Sequence, residues 1–196
     1  LTGETFTYSE AGAALRTLAQ FVRTHGPFDG AFGFSQGANL LAIWLSLVEA
    51  GVLEAGWARP KWACLCCATQ WGWGGNFDDQ AAELAAAIGP SLGARTPEEL
   101  RALAGQSGAA LERLDRLMTC APLSIPSLHW IGEKDPARPA SEANIPYYEE
   151  ARRVVMVHPN DHMPPRQKEF AEALAEFAER WSSTPRAHAT AAVPIA

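Results

Sequence analysis

A serine between two glycines is the first feature of this sequence that could do chemistry. Gly33-Phe34-Ser35-Gln36-Gly37 joins a short apolar run to an amphipathic helical pattern that begins at Leu40. A tight strand-to-helix turn needs small residues two positions either side of the serine, so that strand and helix can approach closely. Such a turn exposes Ser35 Oγ and points the Gln36 amide toward the space in front of it. The stretch predicts a serine nucleophile with one oxyanion donor, although G-x-S-x-G also surrounds inert serines by chance.

A serine nucleophile requires a base, and the base requires an acid that orients it. Two later loops supply both, each following an apolar run that predicts a strand. Asp135 lies in the loop after the third predicted strand, and His162 lies in the loop after the fourth. In a parallel sheet these loops share one edge with Ser35, and the chain order Ser, Asp, His is that of a nucleophile-elbow triad. The spacing therefore predicts acyl transfer by Ser35, His162 and Asp135.

Four other side chains compete for these roles. Glu133 is a possible acid but sits closer to the strand end than Asp135. Asp161 adjoins His162, yet neighbouring side chains usually diverge and do not easily share an orienting bond. We expect His158, at a strand end, to pack or to support the site, and His129, inside an apolar strand, to be a core histidine.

The elements that position these residues follow from hydrophobic periodicity. Helices are predicted at 9–25, with Ser9 as N-cap, at 36–50, at 140–151 with a break at Pro146, and at 166–181; strands are predicted at 31–34, 62–68, 126–131 and 153–158. Strands that alternate with helices predict an α/β fold, with a parallel sheet covered by helices on both faces. We interpret residues 1–182 as a single domain.

Residues 70–120 carry helical patterns without a strand. They predict a helical cap beyond the carboxyl end of the sheet, with an ordinary helical crossover as the alternative. Trp71, Trp73 and Phe77 in this segment, together with Met163 beside the predicted base, are candidates for an apolar acyl pocket. Tryptophans near a glycine-rich loop also pack caps onto sheets, so this role has a structural alternative. The Ala/Pro/Thr-rich residues 183–196 predict a disordered tail.

Composition narrows the possible partners. The 196 residues carry a net charge of −6 and no basic block interleaved with aromatics, which argues against nucleic acid. No apolar run approaches the roughly 18 residues of a membrane span, and the first five residues lack the basic start and apolar core of a signal peptide, so a cytoplasmic location is expected. A small acyl compound is the expected partner, and the oligomeric state stays open.

Three of the four cysteines crowd one predicted strand. Alternation places Cys64 and Cys66 on one face of it and Cys67 on the other. C-x-C-C without a second cysteine or histidine cluster is a poor zinc pattern, so we predict reduced core cysteines with no metal or cofactor.

Three stretches resemble a known family. Residues 27–38 (P-F-D-G-A-F-G-F-S-Q-G-A) resemble the elbow of the FSH serine hydrolases, the family of the ovarian-cancer-associated hydrolase. Residues 125–135 resemble its acid loop, and residues 158–164 resemble its H-P-G-G-H-x-x-P histidine loop. The resemblance runs from about residue 9 to residue 180. It implies a small α/β-hydrolase with Ser35, Asp135 and His162 as its triad, acting on carboxylic esters or thioesters.

Two departures from the family pattern carry expectations. Asn160-Asp161 stands where the family has two glycines, and a negative charge near the base would favour imidazolium and raise the working pH. The family also opens with a strand and an H-G loop that supplies a second oxyanion amide, and nothing here corresponds. The resemblance therefore implies an N-terminally incomplete chain, with residues 31–34 as an exposed edge. Losing one such donor costs on the order of 10²–10³ in rate.

Two alternatives remain at this point. The acyl-protein thioesterase and carboxylesterase group also carries a G-F-S-Q-G elbow, although the proline after the histidine and the helical insertion favour the FSH family. A non-enzymatic acyl-binding module with a degenerate site is the second alternative, because the front loop has no counterpart.

Overall fold

A parallel sheet positions the candidate residues. The computed structural model describes residues 11–49, 59–68 and 122–183. In this part of the chain four strands pair in chain order: β1 (Gly30–Phe34), β2 (Trp62–Cys66), β3 (Ser127–Gly132) and β4 (Arg153–His158). Each pairing is parallel, so the carboxyl ends of all four strands meet at one edge of the sheet.

Helices cover both faces of this sheet. Their bounds are α1 (Ala11–His25), α2 (Gln36–Glu49), α3 (Arg138–Ala143) and α4 (Lys168–Ser182), with 3₁₀ turns at Ile145–Tyr147 and Glu150–Arg152. Gly33 of β1 approaches α2 on one face, and α1 packs against α2. On the other face Phe170 and Phe177 of α4 pack against β2 and β3. The predicted α/β class, a parallel sheet between helices, is confirmed.

The core beneath α4 is rich in sulfur and aromatic rings. Its buried members are Cys64, Cys66, Cys67, Leu128, Trp130, Phe170 and Phe177. Trp130 meets Phe170 edge-on at 5.9 Å between ring centroids, a favoured aromatic geometry. The three cysteines are buried free thiols, as predicted.

The face predicted for Cys67 was wrong. Strand β2 ends at Cys66 and does not continue to Ala68, because Cys67 adopts a positive φ of 49° and turns the backbone. Strict alternation therefore stops one residue early. As a result Cys67 lies in the same core cluster as Cys64 and Cys66.

Other element bounds differ in smaller ways. The helix predicted at 140–151 is the shorter α3, and Pro146 lies in a 3₁₀ turn after it. Helix α4 begins at Lys168, two residues later than predicted. The proposed N-cap Ser9, the predicted cap at 70–120 and the tail from residue 184 onward lie outside the described residues.

Apolar side chains are exposed on both outer strands of the described sheet. Phe32 on β1 is 50% exposed, and Val154, Val155 and Val157 on β4 are 40–48% exposed.

Among the described helices, none has the length and apolar character needed to cross a membrane.

Candidate active site

Ser35 occupies a strained turn between β1 and α2. Its φ of 52° is positive, which costs a non-glycine residue of order 1–3 kcal/mol and needs support from its surroundings. That support comes from both sides: the Ser35 N–H donates to the Cys66 carbonyl at 2.9 Å, and the Ser35 carbonyl accepts from the Asn39 N–H at 3.1 Å. The turn is thereby fixed to β2 and to the first turn of α2.

The two glycines that flank Ser35 have different roles. A Cβ built on Gly33 would lie 2.6 Å from Ala38 Cα and 2.7 Å from the Gly37 carbonyl oxygen, closer than real side chains allow. A Cβ on Gly37 would have no described atom within 4 Å. The close approach of strand and helix thus requires a glycine at position 33, whereas space among the described residues does not require one at position 37.

This difference gives a matched pair of substitutions. We expect Gly33→Ala to lower the free energy of unfolding by about 1–3 kcal/mol, because the added methyl group forces the helix from the strand. We expect Gly37→Ala to leave it unchanged or to raise it by about 0.4–1 kcal/mol. Urea unfolding of the two variants measures both effects, and equal losses would contradict the assignment of the close contact to Gly33.

His162 bridges the serine and a buried carboxylate. Its Nε2 lies 2.8 Å from Ser35 Oγ, and its Nδ1 lies 2.7 Å from Asp135 Oδ2. The ring also contacts Phe34, with 5.4 Å between centroids. With Asp135 ionised, Nδ1–H donates to the carboxylate and leaves the Nε2 lone pair facing the serine hydroxyl. This arrangement can remove a proton from Ser35.

Asp135 is held more rigidly than its partner. Its side chain is 1% exposed, whereas that of His162 is 34% exposed. The second carboxylate oxygen, Oδ1, accepts the Ala137 N–H at 2.8 Å. One oxygen is therefore fixed by the backbone while the other orients the imidazole.

The acid and histidine loops are joined by their backbones. Glu133 N–H donates to the His158 carbonyl at 2.8 Å, and Lys134 N–H donates to the Asn160 carbonyl at 3.1 Å. Gly132 makes this approach possible, since a Cβ there would lie 2.4 Å from the Asp161 carbonyl oxygen. Sequence reasoning missed Gly132, although a glycine at a strand end directly before a candidate loop was the available signal.

Neither competing acid is hydrogen-bonded or ion-paired to the imidazole in the part of the chain that the structure describes. Glu133 and Asp161 are both exposed, and the hydrogen bonds described for them belong to their backbones. Burial lowers the pKa of His158, and the negative charges of Asp135 and Asp161 partly oppose that effect. The higher working pH predicted from Asp161 stays a prediction.

The two candidate histidines that do not bridge Ser35 and Asp135, His129 and His158, are buried. His129 is hydrogen-bonded to Ser127 Oγ at 3.0 Å and packs edge-on against Tyr148. Burial, with a smaller contribution from Arg153, lowers the pKa of His129 to about 3, as expected for a core histidine. His158 is fully buried against the Phe170 ring, and burial lowers its pKa.

Cys67 lies under the serine site, where the sequence did not place it. Its sulfur is within 4.8 Å of a ring nitrogen of His162 and a carboxylate oxygen of Asp135. It is also 3.9 Å from Cys66 Sγ and 3.8 Å from the Met163 carbonyl oxygen. The hydrogen bond from Cys66 lowers the pKa of the Cys67 thiol, whereas that bond and burial raise the pKa of Cys66.

Of the remaining predicted site residues, the structure describes two, Gln36 and Met163. Gln36 is the first residue of α2, and the first N–H groups of a helix have no intrahelical acceptor. Met163 is half-buried beside His162, with its N–H bonded to the Asp161 carbonyl at 2.9 Å. Trp71, Trp73 and Phe77 lie outside the described residues.

Known proteins resemble this chain at three levels. Residues 3–174 match the family model described as Serine hydrolase (FSH1). The proteins named Esterase OVCA2 from Mus musculus and Bos taurus are each 25% identical over 169 residues, 86% of this chain. The match spans 56% and 57% of their lengths, so this chain corresponds to little more than half of either relative.

A solved structure supports the fold. The Pyrococcus furiosus esterase Pf2001 superposes with a TM-score of 0.52, covering 92% of this chain and 66% of the esterase. The two sequences are 14% identical, so this likeness concerns the fold alone.

Proposed function

This chain belongs to the serine hydrolase (FSH1) family of α/β-hydrolases, and from that premise we propose that it cleaves carboxylic esters or thioesters of small to medium acyl groups. One observation carries the proposal: a single imidazole lies 2.8 Å from a serine oxygen and 2.7 Å from a buried carboxylate oxygen. Because each ring nitrogen faces a different partner, the ring can take a proton on one side while the carboxylate balances its charge on the other. The name esterase on the OVCA2 relatives agrees with this chemistry.

Acylation begins at Ser35. Its Oγ attacks the acyl carbonyl while its proton passes to His162 Nε2, and Asp135 stabilises the resulting imidazolium through Nδ1–H. The Gln36 N–H, at the start of α2, donates to the oxyanion of the tetrahedral intermediate. His162 then gives the proton to the departing alcohol or thiol, which leaves an acyl-enzyme.

Deacylation reverses the proton transfers. Water gives a proton to His162 Nε2 as it attacks the acyl carbon, and Ser35 recovers that proton when the carboxylic acid leaves. The partial exposure of His162 supports this step, since water can reach the ring. These residues supply each proton transfer in the cycle.

The acyl group needs an apolar wall near the reacting atoms. Met163 is suited to this by its half-buried position next to His162, and its flexible thioether adapts to different chain lengths. Trp71, Trp73 and Phe77 complete the pocket in this proposal, and their role rests on their sequence pattern.

Labelling and turnover together test the proposed activity. We expect a fluorophosphonate probe to modify one serine per chain, Ser35, and we expect acetyl, butyryl and octanoyl esters of p-nitrophenol to be hydrolysed. Mass spectrometry of the labelled peptide locates the modification. A folded chain that binds acyl compounds but takes no label would instead be an acyl-binding module.

A second assay compares medium-chain esters with long-chain thioesters as substrates. We expect medium-chain esters to be turned over at least as well as palmitoyl-cysteine peptides, as judged by kcat/KM. Preference for the palmitoyl thioesters would favour an enzyme of the acyl-protein thioesterase type.

A further inference from the structure

Two sulfur atoms and an imidazole come together beneath the serine site. Cys66 and Cys67, at the carboxyl end of β2, and His158, at the carboxyl end of β4, place their ligand-type atoms within 4.8 Å of one another. All three residues are 0% exposed. The positive φ of Cys67 makes this cluster possible, because it turns that side chain toward the face that holds Cys66.

His158 is the member of the cluster that calls for an explanation. Neither Nδ1 nor Nε2 has a hydrogen-bond partner among the described residues. Leaving a buried polar group unpaired destabilises a protein, so native proteins rarely retain one without a reason. A leucine would pack against Phe170 at this position without that cost, whereas an imidazole retains a lone pair that a metal ion can accept.

The spacing of the sulfur atoms fits a metal ion. Cys66 Sγ and Cys67 Sγ are 3.9 Å apart. Tetrahedral coordination with metal–sulfur bonds of about 2.3 Å places two sulfur atoms about 3.8 Å apart. Two sulfurs and one nitrogen form a soft ligand set, which favours thiophilic ions over Mg²⁺ and Ca²⁺.

We propose that Cys66, Cys67 and His158 bind a thiophilic metal ion of the class of Zn²⁺, Cd²⁺ or Cu⁺. Both thiols release their protons to solvent on binding, and His158 binds through a neutral ring nitrogen. The C-x-C-C motif by itself is a poor zinc pattern, and the fold supplies the missing third ligand from a strand more than 90 positions away in the sequence.

The site touches the proposed catalytic residues through Cys67. The sulfur of Cys67 is also within 4.8 Å of a ligand-type atom of Asp135 and of His162. A cation on that sulfur lies close to the carboxylate that orients His162 and competes for its negative charge. Occupation of the site is therefore expected to inhibit hydrolysis. This consequence rests on the proposed function, whereas metal binding itself does not.

Cadmium titration tests the binding directly. We expect reduced, chelator-treated protein to take up one Cd²⁺ per chain with a thiolate-to-cadmium absorption band in the ultraviolet, and to compete with a chromophoric chelator for Zn²⁺. We expect Cys66→Ala and His158→Leu each to weaken binding by at least about 100-fold. Each variant removes a proposed ligand, and loss of a residue that only orients a ligand already costs about 10–100-fold. Cys64→Ala is the matched control, since Cys64 is a buried cysteine of the same strand and core cluster but not of the site.

The variants distinguish this site from its neighbours. Near-ultraviolet circular dichroism checks that each variant is folded, and His158→Leu is expected to fold because it removes an unpartnered imidazole. No thiolate band, or an equal loss of affinity in Cys64→Ala, would overturn the site. So would a loss of affinity in His162→Ala with full binding in His158→Leu, which would place the ion at the serine site.

Inhibition is measured separately. Zn²⁺ is expected to lower ester hydrolysis in the wild-type protein, with recovery on adding a chelator, and to have at least about tenfold less effect in Cys66→Ala. Stoichiometric binding without any hydrolysis in the metal-free protein would leave the metal site standing and would refute the proposed function.

Discussion

Replacing Ser35 by alanine is expected to lower kcat for a butyryl ester about 10⁶-fold and to abolish labelling by a fluorophosphonate. The loss is this large because Ser35 Oγ is the atom that would form the acyl bond, and His162 Nε2, at 2.8 Å, would have no hydroxyl to activate. Only direct attack by water on a bound ester remains, and loss of the nucleophile in serine hydrolases has effects of this order. Initial-rate kinetics at saturating ester, with mass spectrometry of the labelled protein, measures both effects.

Ser46→Ala provides the matched control. Ser46 is a buried serine on α2, the helix that follows Ser35, and its hydroxyl donates to the Ala42 carbonyl at 2.9 Å. Such a bond back along a helix contributes little to stability, so this variant should fold, retain its label and keep its kcat. Retention of label in Ser35→Ala would refute Ser35 as nucleophile, and loss of label in both variants would mean that folding, not chemistry, was affected.

The layout of the sheet could be predicted from the sequence, because its strands are short apolar runs bounded by turn residues. The run before Ser35 and the run that ends at His158 each correspond to a strand of the described sheet, and the observed β4 has the predicted bounds. The residue at which β2 ends could not be predicted from the same apolar pattern. Alternation assumes an extended backbone, and nothing in C-x-C-C signals that Cys67 adopts a φ of 49°.

Part of the candidate site could be predicted from the sequence, because chain order and the shared edge of a parallel sheet limit which residues can form a triad. Ser35, Asp135 and His162 were selected on those grounds, and the structure brings their side chains within hydrogen-bond distance. Their catalytic roles stay predictions. The sequence ranked Glu133 below Asp135 by its position in the loop alone, and the structure adds that the Glu133 side chain is exposed.

The features that the sequence did not reveal depend on contacts between distant segments. Gly132 matters because the Asp161 carbonyl crosses above it, and that contact exists only once β3 and β4 are paired in register. The cluster of Cys66, Cys67 and His158 likewise joins the ends of two strands that are not neighbours in the sheet. A scan for ligand spacing along the chain does not find such a set, because its members come from unrelated motifs.

Asp135→Asn tests the orienting acid, and we expect it to lower kcat about 10⁴-fold while the protein stays folded. Asp135 Oδ1 accepts the Ala137 N–H, and the asparagine oxygen would keep that bond. The amide NH₂ then faces His162 Nδ1, which must present its lone pair, so the ring proton moves to Nε2. That nitrogen then faces Ser35 as a donor and cannot take the serine proton.

Glu133→Gln is the control for this substitution, because it makes the same change of charge two residues earlier on an exposed side chain. We expect it to leave kcat and KM unchanged. The tautomer argument also predicts that Asp135→Asn changes kcat far more than KM, since the acyl pocket is untouched. Comparable losses of kcat in Glu133→Gln and Asp135→Asn would mean that the loss of negative charge, and not the tautomer, causes the effect. A normal kcat in Asp135→Asn would refute the role of Asp135 as the orienting acid.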